Sequence, residues 1–275
     1  MDTDDLDGEL ALDSVFTEPP RPPTPDPTFA TYTRNTDAII NDAAQLPSEV
    51  KITLVGSHPL WGHYLWNAAL SFASYLDANP ELVRDRCVLE LGAGGGLPAI
   101  VAAQNGAQRV VVTDYPDSAL IENLTNNINA NISSEARNRV KEQGYIWGQN
   151  TLPLFQSLPT HADTTSGFDL IIMSDLIFNH SQHDALLKTC DQCLRRPTGG
   201  SGSVRAPIPC LLVFYTHHRP HLAHRDLEFF TKARNQGWNC EEIVTEKFPP
   251  MFPEDPGEEE VRSTVHGWRL LRAIE

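Results

Sequence analysis

The chain reads as an α/β protein whose mainly parallel sheet carries helices on both faces. Strand and helix patterns alternate along most of its length, the arrangement that puts crossover helices between parallel strands. One apolar run ends in a glycine-rich turn that passes directly into a helical pattern. The last two strand patterns follow one another with no helix between them, which predicts an antiparallel edge strand.

Taken in order, residues 1–30 read as a disordered tail. Asp and Glu crowd the first eighteen positions, and prolines stand at 19, 20, 22, 23, 25 and 27. Such a segment buries too little apolar surface to offset its ordering entropy. It is a solvated tail or a docking arm for a basic partner. The folded domain is expected over 31–275. Lys51-Ile52-Thr53-Leu54-Val55 is a short strand. Beyond Gly56, His58 and Pro59, the residues Trp66, Ala69, Leu70, Ala73 and Leu76 keep helical spacing up to Asn79-Pro80. Seven strands are expected near 86–91, 108–114, 141–146, 168–174, 208–216, 239–246 and 263–272. Helices fall near 97–105, 117–131, 182–195 and 222–236. Residues 199–203 form a flexible Gly/Ser loop, and 249–260 is a Pro- and Glu-rich connection between the last two strands.

Composition narrows the class. With 275 residues and 40% hydrophobic content, the chain can build one substantial core. No apolar run approaches membrane-spanning length, and the acidic N-terminus is unlike a secretory signal, so no membrane partner is expected. The five cysteines are odd in number and sit mostly on apolar segments, which reads as reduced thiols in a cytosolic or nuclear protein; a cytoplasmic location is expected. The sequons at Asn123, Asn131 and Asn179 are then chance matches. A net charge of −15 argues against nucleic acid and suits a basic peptide or protein.

The glycine turn carries the chemistry. It runs Cys87-Val88-Leu89-Glu90-Leu91-Gly92-Ala93-Gly94-Gly95-Gly96-Leu97-Pro98. Glycine lets the chain turn tightly and lets a ligand approach main-chain atoms. A dinucleotide site wants glycine at the first, third and sixth positions, and Leu97 fails the sixth. The spacing acid-x-Gly-x-Gly-x-Gly is met by Glu90, Gly92, Gly94 and Gly96. A second strand, Arg109-Val110-Val111-Val112-Thr113-Asp114, ends in a carboxylate that can accept both ribose hydroxyls of a nucleoside. Asp114 could instead cap the helix that follows.

These motifs resemble those of S-adenosylmethionine-dependent methyltransferases, which implies a Rossmann-like seven-stranded sheet and S-adenosyl-L-methionine as cofactor. Three further segments resemble one branch of that superfamily: 57–66 (Ser-His-Pro-Leu-Trp-Gly-His-Tyr-Leu-Trp), 145–148 (Tyr-Ile-Trp-Gly) and 171–180 (Ile-Ile-Met-Ser-Asp-Leu-Ile-Phe-Asn-His). The branch is a group of protein-lysine methyltransferases that includes enzymes once named nicotinamide methyltransferases. Within it, the resemblance over about 30–275 points to fungal enzymes acting on the N-terminal region of translation elongation factor 1-alpha.

The resemblance implies roles by position. Trp61 would lie against the methionine end of the cofactor, over a floor of Gly92, Ala93 and Gly94. Asp114 would hold the ribose, Trp147 would flank the adenine, and Ser174 would line the pocket at the end of the fourth strand. Core packing is the commoner use of each Trp. Asp175 would attract and orient the amine, or cap the next helix. The group usually shows Asp-x-x-Tyr there, whereas this chain has Asp175-Leu176-Ile177-Phe178. Phe178 can wall an amine channel but cannot hydrogen-bond the amine. Tyr215 is the other channel candidate. His217, His218, His221 and His224 and the lone Cys190-x-x-Cys193 lack the spacing of a zinc site, so the histidine loop is expected at the substrate mouth and no metal is expected.

The implied activity is transfer of a methyl group to the α-amine or a nearby lysine of the elongation factor, by a monomer, through in-line attack of a neutral amine. A small-molecule N-methyltransferase of the nicotinamide type and a non-catalytic cofactor-binding module are the other two classes. Intact Glu90, Gly92, Gly94 and Asp114 argue against the last.

Overall fold

In this computed structural model residues 25–35, 46–159, 167–196 and 207–272 are described. The tail over 1–24 and the loop at 199–203 lie outside them. In chain order the elements are β1 (Thr28–Thr33), β2 (Glu49–Leu54), α1 (Asn67–Ala78), β3 (Cys87–Leu91), α2 (Leu97–Gln104), β4 (Arg109–Asp114), α3 (Ser118–Asn131), the short α4 (Ser134–Arg137), β5 (Val140–Gly144), the short α5 (Leu152–Gln156), β6 (Leu170–Ser174), α6 (His183–Cys193), β7 (Cys210–Thr216), α7 (Ala223–Asn235), β8 (Trp238–Lys247), the short α8 (Glu259–Arg262) and β9 (Thr264–Arg272).

Seven strands form one sheet in the order β5-β4-β3-β6-β7-β9-β8. The first five are parallel, and β9 runs antiparallel to both β7 and β8. The antiparallel strand is therefore the penultimate one, and the edge strand β8 points with the parallel set. The chain leaves β3 towards β4 and β5 and later returns to β6 on β3's other side. That reversal opens a crevice beyond the carboxyl ends of β3 and β6, where such sheets bind ligands.

Both faces of β3, β4, β6 and β7 are buried, and period-2 alternation assigns each side chain to one of two cores. Val88, Val110, Val112, Leu170, Ile172, Leu212 and Phe214 pack with α1, α2 and α3. Leu89, Leu91, Val111, Ile171, Met173, Leu211, Val213 and Tyr215 pack with α6 and α7. Each fully buried aliphatic or aromatic side chain contributes about 1.5–3 kcal/mol of transfer free energy. Four of the five free cysteines are buried in these layers. Burial pushes the Cys87 and Cys210 thiols up to about 11, which keeps them protonated at neutral pH.

β1 and β2 form a separate antiparallel ribbon, with Thr28 opposite Leu54. Residues 28–30, expected in the tail, belong to it. The outer edge of β2 pairs with α3 instead of a third strand. Asn123, Asn127 and Asn131 recur at i, i+4 on one helix face. Asn131 Nδ2 donates to Lys51 O at 2.9 Å and Lys51 N donates to Asn131 Oδ1 at 3.2 Å. Asn127 does the same for Thr53, with both bonds at 2.8 Å, and Asn123 Nδ2 also donates to Thr53 O. Asn127 reaches further, donating to Gly95 O at 3.1 Å, so this ladder ties β2 to the glycine turn. Two of the three sequon asparagines thus hold β2 in place.

Candidate active site

The carboxyl ends of β3, β4, β5 and β6 bring the sequence motifs together. A cavity of about 610 Å³ there is lined by Trp61, Gly92, Ala93, Gly94, Asp114, Trp147, Ser174, Asp175 and Phe178 among others. Of the residues expected at the cofactor, only Glu90 does not line it. Glu90 is 0% exposed, and its Oε2 accepts the Ala99 N–H at 2.8 Å. Gly96 offers α2 no side-chain cap, so Glu90 satisfies one of the helix's free N–H groups from the preceding strand. Burial pushes its carboxyl well above the usual range, against the Ala99 bond, and the nearby Asp114 adds to the rise. Glu90 braces the turn.

The turn itself needs its glycines. Gly92 and Gly94 both have left-handed backbone, with φ of 59° and 54°. A Cβ at Gly92 would stand 2.6 Å from Leu176 Cδ2 and 3.0 Å from Trp147 Cζ2, whereas one at Gly94 would meet no atom within 4 Å. Gly94 therefore presents bare backbone to the cavity. Asp114 closes the other side. Its Oδ2 accepts the Gly94 N–H and its Oδ1 the Tyr115 N–H, each at 2.6 Å. Burial raises its pKa, while those two bonds and His58 oppose the rise. Capping of α3 falls to Asp117, which accepts from Ala119 N at 2.9 Å, so Asp114 remains with the cavity.

Trp61 hangs over this cleft on the 57–66 loop. It closes a tight turn by donating its N–H to His58 O at 3.0 Å, and its φ is 62°. The ring is 41% exposed and lies over His63 and Tyr64.

A second cavity of about 420 Å³ adjoins the first and shares Trp61, Trp66, Asp175, Phe178 and Arg219 as walls. Its remaining lining includes His180, His218, Asp226, Phe252 and Asp255. Asp175 is 5% exposed and does not cap α6, which begins eight residues later. Its N–H donates to Phe214 O at 2.7 Å, its φ is 57°, and its Oδ2 accepts from His218 Nε2 at 2.8 Å. Burial lowers the His218 pKa, but Asp175, by charge and hydrogen bond, more than reverses this and the net direction is up. Asp226 is held the same way from two sides, by His180 Nε2 at 2.7 Å and His217 Nδ1 at 2.6 Å. Of the four histidines after β7, His217 and His218 thus pair with carboxylates, and His218 is the one that lines this cavity. Among the described residues no three His, Cys, Asp or Glu are grouped to hold a metal.

Phe178 lines both cavities and is 43% exposed. Tyr215 lines neither. It is 2% exposed and sits among Phe230, His217 and His266. Strand parity explains the correction: Tyr215 shares the face of Leu211 and Val213, which points into the α6–α7 core. Sequence reasoning left Trp66, His180, Arg219, Asp226 and Phe252 unassigned to the pocket. The 249–260 connection delivers Phe252, whose carbonyl accepts from Arg262 Nη1 at 2.7 Å.

With this geometry in place, comparison with known proteins is decisive. The model of the lysine methyltransferase family matches residues 49–233. The protein N-terminal and lysine N-methyltransferase EFM7 of Cryptococcus neoformans is 45% identical over 273 residues, covering 96% of this chain and 89% of its own. The chain belongs to the lysine methyltransferase family. Its sheet matches that of PH0793 from Pyrococcus horikoshii, a proposed transferase, with a TM-score of 0.51 at 15% identity, covering 90% of this chain and 73% of that one. It also matches SMU.776, a proposed methyltransferase solved with S-adenosylhomocysteine, with a TM-score of 0.50 at 10% identity, covering 80% and 53%.

S-Adenosylmethionine is the expected cofactor of this family member. The cleft fits such a group on its own terms. The bare backbone at Gly94 leaves a cradle that a Cβ would fill, an Asp carboxylate stands at a strand tip, and the indole rings of Trp61 and Trp147 line the walls. Among the described residues no helix is long and apolar enough to cross a membrane.

Proposed function

We propose that this methyltransferase modifies the α-amine, a nearby lysine, or both, in the N-terminal region of translation elongation factor 1-alpha, acting as a cytoplasmic monomer. The observation that carries a protein substrate is the second cavity. It opens beside the cofactor cleft through exposed Trp61 and Phe178, so a chain end or a lysine can enter from solvent. A nicotinamide-type substrate would want a closed aromatic pocket. EFM7 relatives, named as protein N-terminal and lysine N-methyltransferases, support the same reading, and the 57–66, 145–148 and 171–180 motifs support the elongation factor as target.

S-Adenosylmethionine, when bound, supplies an electrophilic methyl on its sulfonium. In this reading Asp114 accepts the ribose hydroxyls through the lone pairs that its two backbone bonds leave free. Trp147 flanks the adenine, Trp61 covers the methionine end, Gly92, Ala93 and Gly94 form the floor, and Ser174 lines the wall. Trp66, Phe178 and Phe252 offer ring faces to a cationic amine, worth about 0.5–2 kcal/mol per contact. Asp175 and Asp226 set its orientation. Holding amine and methyl in line is the main catalytic contribution.

Purified enzyme should be incubated with labelled cofactor and, in parallel, with elongation factor 1-alpha and with nicotinamide. Mass spectrometry should find added methyl groups on the first few residues of the factor. Efficient turnover of nicotinamide with an unmodified factor would replace this reading with the small-molecule one.

A further inference from the structure

An ammonium cannot attack a methyl group until it loses a proton, so the amine needs an acceptor within hydrogen-bond reach or one water away. Against Asp175 and Trp66, two residues of the wall shared by the two cavities, stands His218, which lines the second cavity and is held in a single orientation. Its Nε2 lies 2.8 Å from Asp175 Oδ2. A carboxylate only accepts, so Nε2 carries a proton, and in the neutral form of the ring Nδ1 carries the lone pair. The ring leans on Trp66 at 4.8 Å between centroids. Among the described residues it makes no second hydrogen bond, which leaves Nδ1 for whatever enters the cavity that the ring lines. The other two histidines near this mouth are committed differently: His180 and His217 both hold Asp226.

We propose that His218 accepts the proton of the substrate ammonium, with Asp175 as the residue that positions it. The step rests on the protein-amine reading above. R–NH3⁺ gives one proton to Nδ1 and becomes R–NH2, and the ring becomes imidazolium paired with Asp175. The amine lone pair then forms the new C–N bond, the C–S bond breaks, and its electron pair stays on sulfur to give neutral S-adenosylhomocysteine. The imidazolium returns its proton to solvent. The charged and titratable groups facing His218 are Asp175 from the end of β6, Arg219 beside it, His180, Arg225 and Asp226 from the α6 and α7 sides, and Asp255 from the loop before α8. Asp175 and Asp226 favour the imidazolium, and Arg219 opposes it.

The test compares His218→Gln with wild type on two peptides from the N-terminus of the elongation factor. One has a free α-amine and no lysine; the other is N-acetylated with a single lysine. Free α-amines near pKa 7.7–8.0 are about one-tenth neutral at pH 7, whereas lysine near 10.4 is less than about one-thousandth neutral. Loss of the acceptor should therefore cost about 100-fold or more in kcat on lysine at pH 7 but no more than about tenfold on the α-amine. The deficit should shrink as pH rises towards each amine's own pKa. Calorimetric affinity for S-adenosylhomocysteine should stay unchanged. In the free protein, NMR titration of the His218 imidazole should move to lower pH in Asp175→Asn, a variant that tolerates the left-handed backbone and serves if His218→Gln does not fold. A kcat loss equal on both amines and constant with pH, or none at all, overturns the proposal while leaving the substrate reading intact. If wild type modifies neither peptide, the substrate reading fails and the proposal falls with it.

Discussion

Gly92 and Gly94 share a backbone conformation but not surroundings, and that difference separates folding from binding. Gly94→Ala places a methyl group at φ 54° with no atom within 4 Å. The left-handed backbone costs about 1–2 kcal/mol, and the lower entropy of the unfolded chain returns about 0.4–1 kcal/mol. The net loss is about 1 kcal/mol, or about 2–4 °C in melting temperature for a domain of this size. The same methyl occupies the cavity floor, where overpacking a ligand costs about 1–3 kcal/mol, so affinity for S-adenosylhomocysteine should fall about 5- to 150-fold. Gly92→Ala carries the same backbone penalty and also drives into Leu176 and Trp147, so it should melt several degrees lower and bind weakly as well. Thermal melts and titration calorimetry on the two variants read both quantities. Gly94→Ala binding like wild type, or melting as low as Gly92→Ala, would refute the assignment of the space above Gly94 to the cofactor.

Asp114→Ala leaves the Gly94 and Tyr115 N–H groups without their acceptor and removes the ribose contact; calorimetry should record at least about a tenfold loss of affinity, since charge-assisted hydrogen bonds are each worth about 1.5–3 kcal/mol. Glu90 has a raised pKa in the folded state, so its stabilising contribution is full below its unfolded value near 4.3 and is lost as pH rises through the folded one. Denaturation of wild type should therefore lose up to about 1.4 kcal/mol per pH unit across that window relative to Glu90→Gln, and parallel curves would mean Glu90 does not hold its proton. Asn127→Ala strips three hydrogen bonds from Thr53 and Gly95 and should cost about 2–4 kcal/mol in urea unfolding, against about 1 kcal/mol for Asn123→Ala, which loses one.

The sheet was legible because its central strands β3, β4, β6 and β7 are buried on both faces and its strands are flanked by glycine, proline and helical patterns; every strand of the main sheet lies within two residues of its expected bounds. The β1 ribbon was not. Thr-Phe-Ala-Thr-Tyr-Thr is rich in β-formers, but it abuts the prolines, and only its pairing with β2 distinguishes it from the tail. The cofactor cleft was legible because its residues follow strand ends directly. The substrate mouth was less so, because Asp175 and His218 lie 43 positions apart and meet through the pairing of β6 with β7, where Ser174 stands opposite Phe214. The parity of Leu211, Val213 and Tyr215 along β7 turns Tyr215 into the α6–α7 core and away from the channel. The acid-x-Gly motif places Glu90 at the ligand, whereas its buried carboxylate accepts the Ala99 N–H of α2.

Three described residues other than glycine have a left-handed backbone: Trp61, Asp85 and Asp175. Asp85 sits in a turn, donating its N–H to Gly106 O. The other two are among the five residues that line both cavities. Such conformations cost about 1–3 kcal/mol each and survive only where the surroundings over-determine them. At Asp175 the reason is geometric. Its N–H stays in the ladder with Phe214, so the sheet continues to that atom, while the positive φ turns the chain off the sheet at once and leaves the carboxylate beside His218. Asp also tolerates this backbone better than the Leu and Ile that follow it. At Trp61 a bulky ring is held at the same backbone angle by the His58 turn, with more than a third of its surface open. Neither contact adds packed core area that would justify the strain. Both bring a side chain to the boundary between the two cavities, and on the proposed function that is where amine and methyl are aligned and preorganisation has chemical value.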